Sequence, residues 1–177
     1  METRVGKGVL ELKRGDITLE RVDAIGNAAN AALAGGGGVD GAIHRAGGPE
    51  IMAECRRIGG CPTGQAVMTG GGRLPARHVL HMVGPIWRGG SDGEADLLAS
   101  CYRTALGLAR EAGLRSVAFP SVSTGIYGYP VDKAAEVALA EILSFMREND
   151  IPELVRMVLF DAGTLAAYEK ALAKLSE

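Results

Sequence analysis

The sequence predicts an α/β fold, with a mostly parallel sheet covered by helices on both faces. Three observations point there. Strand-length apolar runs alternate with amphipathic stretches of helical length from Gly8 to Leu175. Two glycine-rich segments, Asn27–Gly41 and Ser121–Gly128, each fall just after a predicted strand, where open sheets of this kind bind ligands. A length of 177 residues suits one domain able to bury a full core without disulfides or metal, and we expect 1–177 to be a single domain.

The elements follow in order. Gly8–Arg14 alternates as a strand does, and Asp23–Asn27 is a short apolar run ending in polar residues. Val39–Ala46 has the pattern of a short helix. Pro49 suits the first position of a helix over Glu50–Ile58, closed by Gly59-Gly60. Gln65–Thr69 and Arg77–Val83 are β-like. Glu94–Ala112 is a long amphipathic helix with Gly113 just past its end. Arg115–Pro120, Asp132–Asn149, Leu154–Phe160 and Thr164–Leu175 continue as strand, helix, strand and helix.

Composition narrows the function. With 47% hydrophobic and 23% charged residues the chain is globular, and its net charge of −2 supplies no basic field for nucleic acid or an anionic membrane. Any phosphate site must therefore be built locally from backbone. No apolar run approaches the roughly 20 residues a membrane helix needs. Cys55, Cys61 and Cys101 form an odd, scattered set, more like reduced buried thiols than a disulfide framework. Met1–Lys7 is polar and does not resemble a secretory leader. These features predict a cytoplasmic protein.

Two of the three asparagines stand in Asn27-Ala28-Ala29-Asn30, followed at once by Gly35-Gly36-Gly37-Gly38-Val39-Asp40-Gly41-Ala42-Ile43-His44. Amides offer donor and acceptor, glycines allow close backbone approach, and an acid and an imidazole four apart share one helical face. The grouping suits a polar, anionic small molecule. Ser121-Val122-Ser123-Thr124-Gly125-Ile126-Tyr127-Gly128 can form a nest of N–H groups for an anion. A diphosphate clamped between the two loops fits both. Plain glycine turns are the alternative.

Other motifs fail on context. Gly36–Gly41 satisfies G-x-G-x-x-G, but Ala28–Ala34 separates it from the preceding strand, and no room remains for a hydride-acceptor domain. Gly89–Gly93 matches G-x-S-x-G, yet no histidine follows Ser91 to complete a triad. Cys55 and Cys61 lack zinc-ligand spacing. His78 and His81 read as packing or hydrogen-bonding histidines of the strand Arg77–Val83, and Cys101 as core.

Gly15-Asp16-Ile17-Thr18, Asp23-Ala24-Ile25, Asn27–Asn30, Gly35–His44 and Ser123–Gly128, in this order and spacing, resemble the macro domain family, specifically its MacroD-type branch, from about Gly8 to Tyr168. The resemblance implies a three-layer α/β/α macro domain with a mixed, mostly parallel central sheet. It implies binding of ADP-ribose and related nucleotide metabolites. It also implies hydrolysis of ADP-ribosyl esters, on mono-ADP-ribosylated acidic side chains of proteins or in O-acetyl-ADP-ribose, with no cofactor and no metal.

Carried over by position, Asp16 accepts the adenine amino group and the Ile17 N–H donates to the ring. Asn27 belongs to the ligand-binding set, and Asn30 holds the distal ribose. Asp40 and His44 flank the reacting end. Gly35, Gly36, Gly37, Gly38 and Val39 clasp the diphosphate together with Ser123, Thr124, Gly125 and Ile126. Tyr127 lies against the distal ribose and Phe160 offers an adenine-stacking face. Asp40 acts by positioning water or as general base, in the first turn of a helix, a place suited to a carboxylate. Gly26 departs from the apolar residue usual in the family and is expected to loosen its strand locally. The zinc branch's Cys/His insertion and the paired glutamates of poly-ADP-ribose glycohydrolases are absent. A non-catalytic ADP-ribose reader is the alternative function; a nucleic-acid module is disfavoured by charge and by 5% aromatic content.

Overall fold

The computed structural model describes residues 1–176. Seven strands form one sheet in the order β1-β2-β7-β6-β3-β5-β4. They are β1 (Glu2–Val5), β2 (Gly8–Arg14), β3 (Ala24–Ala28), β4 (Ala66–Gly70), β5 (His78–Met82), β6 (Ser116–Phe119) and β7 (Leu154–Leu159). The five central strands run parallel, and only the edge pairs β1–β2 and β4–β5 are antiparallel. The sheet is thus mixed and mostly parallel.

Helices α1 (Gly38–Gly47) and α2 (Pro49–Ile58) cover one face; α3 (Glu94–Glu111), α4 (Val131–Glu148) and α5 (Ala162–Leu175) cover the other. Alternate strand residues feed the two cores. Ala24, Leu80, Val117 and Met157 face α3, α4 and α5. Ile25, Val79, Ala118 and Val158 pack with Ile43, Ile51 and Cys55 of α1 and α2. Burial on both faces is what makes the central strands apolar at successive positions. Pro49 occupies the start of α2, and Gly113, at φ +70°, follows Ala112, the C-cap of α3. All three cysteines are buried and free. Among the described residues no helix is long and apolar enough to cross a membrane.

Two features depart from the sequence reading. β1 is a strand although Met1–Lys7 is polar: its four residues lie on the sheet edge, where Glu2 stays exposed, and Gly6 at φ +56° turns the chain into β2. A further short element, one 3₁₀ turn over Ile17–Leu19, follows β2. Gly26 accommodates a close neighbour. A Cβ there would stand 2.8 Å from the Phe119 ring and 3.0 Å from Pro120 and the Met82 sulfur. Beyond Ile25, β3 pairs with β5 but no longer with β6, which ends at Phe119 before Pro120.

Candidate functional site

The C-terminal ends of four parallel strands open into one cleft of about 800 Å³. Gly15, Asp16 and Ile17 enter it after β2, Ala28–Asn30 and Gly36–Asp40 after β3, Pro120–Tyr127 after β6, and Phe160 and Asp161 after β7. Both glycine-rich segments therefore share one crevice, as their positions after strands imply.

One end is formed by the residues after β2 and β7. Asp16 caps the 3₁₀ turn, its Oδ1 accepting from the Thr18 N–H at 3.0 Å and from the Thr18 hydroxyl at 2.7 Å. Oδ2 takes no part in these bonds, and the Ile17 N–H, first in its turn, has no acceptor within it. An acceptor and a donor thus sit side by side at the cleft wall. Phe160 is 82% exposed beside them, a bare aromatic face at the end of β7.

The two loops make the middle. Gly36, Gly37 and Gly38 line the cleft at the start of α1, where Gly37 is the N-cap and the first helical N–H groups lack intrahelical acceptors. Opposite, Ser123, Thr124, Gly125, Ile126 and Tyr127 line it, and none of the loop's own hydrogen bonds uses the N–H of Ser123, Thr124, Gly125 or Ile126. Ser123 holds φ +68°, a conformation costly for a residue with a Cβ. The loop is anchored from below. The Tyr102 hydroxyl donates to the Pro120 carbonyl, Tyr168 donates to Ser121 Oγ at 2.9 Å, and Trp87 N–H donates to the Tyr127 carbonyl at 2.8 Å. Burial pushes the Tyr168 hydroxyl up to about 12 and Tyr102 well above its ordinary value, so both remain protonated anchors.

The far end carries the acid. Asp40, in the first turn of α1, is 6% exposed yet lines the cleft. Its Oδ1 accepts from Asn27 Nδ2 at 2.9 Å and lies 3.3 Å from His44 Nε2. Asn30 lines the cleft, with Nδ2 donating to the Gly35 carbonyl and Oδ1 accepting from the Ala34 N–H. Its amide holds the loop's shape while a second Nδ2 hydrogen remains. Val39 also lines the cleft.

Three expected contacts stand back from the wall. Asn27 is fully buried beneath Asp40, because alternation on β3 turns it toward α1 while its amide engages Asp40 and His81. His44 lies one turn down α1, behind Asp40. Gly35 turns the loop at φ +79° and offers its carbonyl to Asn30. None of the three lines the cleft.

Several lining residues escaped the sequence reading. Gly84, directly after the Val83 end of the β5 run, has no room for a Cβ against Ser123 and Val122. The tightness of a crossing between distant segments leaves no signal in local pattern. Arg45 adds a cation at the rim. His81 and Thr69 stand further back, in contact with the acid's support. Among the described residues no three His, Cys, Asp or Glu side chains gather as a metal ligand set.

The model of the Macro domain family matches residues 26–138, which include Asn27, Asp40 and the Ser123–Gly128 loop. The chain belongs to the macro domain family. A macro domain-containing protein of Methanosarcina mazei is 48% identical over 98% of this chain and 97% of its own length. A protein of Citrobacter rodentium named O-acetyl-ADP-ribose deacetylase is 52% identical, covering 90% of this macro domain and 93% of its own length. Among solved structures, the Oceanobacillus iheyensis macrodomain with ADP superposes with a TM-score of 0.96 at 45% identity, over 99% of this chain and 96% of that one. The Trypanosoma brucei macrodomain in complex with ADP-ribose gives 0.86 at 45% identity, over 92% and 68%. The fold is accordingly a macro domain fold throughout.

Proposed function

We propose that this macro domain binds ADP-ribose along the cleft and hydrolyses ADP-ribosyl esters, the acyl group being an acidic side chain of a modified protein or an acetyl group. Adenine lies at the Asp16 end, its amino group donating to Asp16 and its ring accepting from the Ile17 N–H, with Phe160 against its face. The diphosphate lies between the Gly36–Gly38 and Ser123–Ile126 backbones. Many N–H donors replace its water there without a net positive charge. The distal ribose reaches Asn30, Tyr127 and Asp40.

The observation that carries the hydrolase reading is the pinned acid. Asp40 has one oxygen held by Asn27 and His44 in a buried setting, while the residue still lines the cleft beside Asn30. A module that only reads ADP-ribose needs no fixed carboxylate at that end. A water held by the other oxygen is oriented toward the ester, and its addition across the bond releases ADP-ribose and a free carboxylic acid.

The relative from Citrobacter rodentium, named for such a deacetylase, and the ADP-ribose complex of the Trypanosoma brucei macrodomain support this reading. Incubation of the protein with mono-ADP-ribosylated acidic substrate and with O-acetyl-ADP-ribose tests it, with free ADP-ribose as the readout. Release by wild type and its loss in Asp40→Ala are expected. Tight binding without release from either substrate would leave a reader.

A further inference from the structure

The support for Asp40 does not end at Asn27. Asn27 on β3 and His81 on β5 are direct partners in the parallel ladder, and both side chains point to the α1–α2 face. Asn27 Nδ2 stands 2.9 Å from Asp40 Oδ1 and 3.1 Å from His81 Nδ1. His81 Nε2 stands 2.9 Å from Thr69 Oγ1 on the edge strand β4, and that hydroxyl donates to the Gly70 carbonyl at 3.0 Å. Asn27, Asp40, Thr69 and His81 are all buried.

The hydrogens in this chain can be placed in one self-consistent way. A carboxylate only accepts, so Asn27 turns its NH₂ toward Asp40. The second hydrogen of that NH₂ faces His81 Nδ1, which must then be bare. The ring proton is on Nε2 and goes to Thr69 Oγ1, whose own hydrogen goes to Gly70. The reversed amide would set Oδ1 against Asp40 Oδ1, acceptor against acceptor. The cost of the observed orientation is visible, for Asn27 Oδ1 is buried without a partner. An amide that forfeits its own acceptor is held by its neighbours.

We propose that His81 is a positioning residue: its bare Nδ1, fixed by the Thr69 hydroxyl behind it, locks the Asn27 amide and through it aims the Asp40 carboxylate at the cleft. This deepens the hydrolase reading and rests on it for the reaction concerned. The ring must stay neutral to do this, since an imidazolium would donate from both nitrogens. Of the groups around it, the His44 ring, 6.2 Å away centroid to centroid, opposes a charge on His81, the Cys55 sulfur is 3.8 Å from Nε2, and Asp40, beyond Asn27, favours one. Burial, helped by His44, pushes His81 down to about 4.

Two measurements on the whole chain test it. The ring-nitrogen chemical shifts of His81 should report a neutral Nε2–H tautomer from pH 8 to pH 5. Thr69→Val, which keeps the side chain's shape and removes the hydroxyl, should mix in the Nδ1–H form. A wild-type His81 protonated on Nδ1, or charged by pH 5, overturns the proposal whether or not the protein hydrolyses any ester. In single-turnover release of ADP-ribose, His81→Phe should be slower by about 10- to 100-fold, the range seen where hydrogen-bond partners that orient metal ligands are lost. Affinity for ADP-ribose should stay within about twofold, because ground-state contacts are untouched. His81→Asn, whose Oδ1 can stand where Nδ1 stands, should recover most of the rate. Wild-type turnover in a folded His81→Phe overturns the proposal. Should wild type bind ADP-ribose but release none, the hydrolase reading alone fails and the tautomer measurement still decides this one.

Discussion

The Tyr102 hydroxyl on α3 donates to the Pro120 carbonyl at 2.8 Å and accepts from the Val122 N–H at 3.2 Å, so one buried side chain satisfies both flanks of Ser121. Tyr102→Phe leaves a carbonyl and an N–H unpaired in the core. The expected loss of stability is about 1–3 kcal/mol, the cost of stranding buried polar groups. ADP-ribose affinity should fall as well, because the Ser123–Ile126 backbone loses its anchor. Urea unfolding and calorimetry check the two effects; an unchanged unfolding midpoint would show that the hydroxyl bears no strain from the loop.

Asp40→Asn keeps the volume of the side chain and removes its charge. Turnover should drop by about 10²–10⁴, the range for groups that orient or deprotonate water, while product affinity changes little. Single-turnover release of ADP-ribose beside a binding isotherm separates the two. Equal rates for wild type and variant would place the chemistry on another group.

Asp16 caps the turn at Thr18 and, in the proposed binding mode, also contacts adenine, so its variants should show both effects. Asp16→Ala is expected to weaken ADP-ribose binding by about 1–3 kcal/mol through the lost adenine contact. It should also cost about 1 kcal/mol of stability through the lost cap on Thr18. AMP, which shares the adenine, should lose affinity in proportion. If only stability changes, Asp16 serves the turn and not the ligand.

Gly125 is a site where a large change is structurally free. No atom lies within 4 Å of a Cβ built there, so Gly125→Glu should fold normally. A carboxylate beside the diphosphate would then repel it by roughly 4 kcal/mol at an intermediate dielectric, enough to abolish measurable binding. Normal binding by a folded Gly125→Glu protein would remove the loop from the phosphate site.

Glu94 predicts a pH dependence with a definite sign. Its carboxylate accepts the N–H groups of Arg88 at 2.9 Å, Gly90 at 2.8 Å and Asp92 at 2.6 Å, tying the loop before α3. These bonds, led by that of Arg88 and opposed by desolvation, hold its carboxyl down at about 2 from an ordinary 4.5. A lowered folded-state value means stability present above pH 4.5 and lost as pH falls toward 2. The gap in urea midpoint between wild type and Glu94→Gln should be widest above pH 5 and close toward pH 2. A gap independent of pH would refute the assignment.

Much of this molecule can be read from local pattern, and the parts that cannot share a cause. Helices α2 and α3 announce themselves through Pro49 and Gly113, since capping chemistry is local. The Asn27–His44 and Ser121–Gly128 segments stand out because amides and glycines concentrate there. By contrast, Asn27 looks in sequence like the twin of Asn30, and only the pleat of β3, which buries the one beneath Asp40, tells them apart. His81 carries no mark until β5 sets it opposite Asn27. Gly26 and Gly84 answer to Phe119 and to Ser123, residues far along the chain. Side-chain roles that depend on which strand lies alongside are written in topology, and topology is non-local.

The strand order also divides the cleft in time. β2 pairs only with β1 and β7, and the Arg156–Glu11 ion pair joining β7 to β2 spans 145 residues of chain. During synthesis, the acid and its support, drawn from β3, α1, β4 and β5, have emerged while β2 still awaits its inner neighbour. β2 gains its inner sheet neighbour only when β7 arrives, a late closure with a high loop-entropy cost that slows folding. The Asp16 end of the groove thus gains its β2–β7 pairing only after the acid's end has been synthesised.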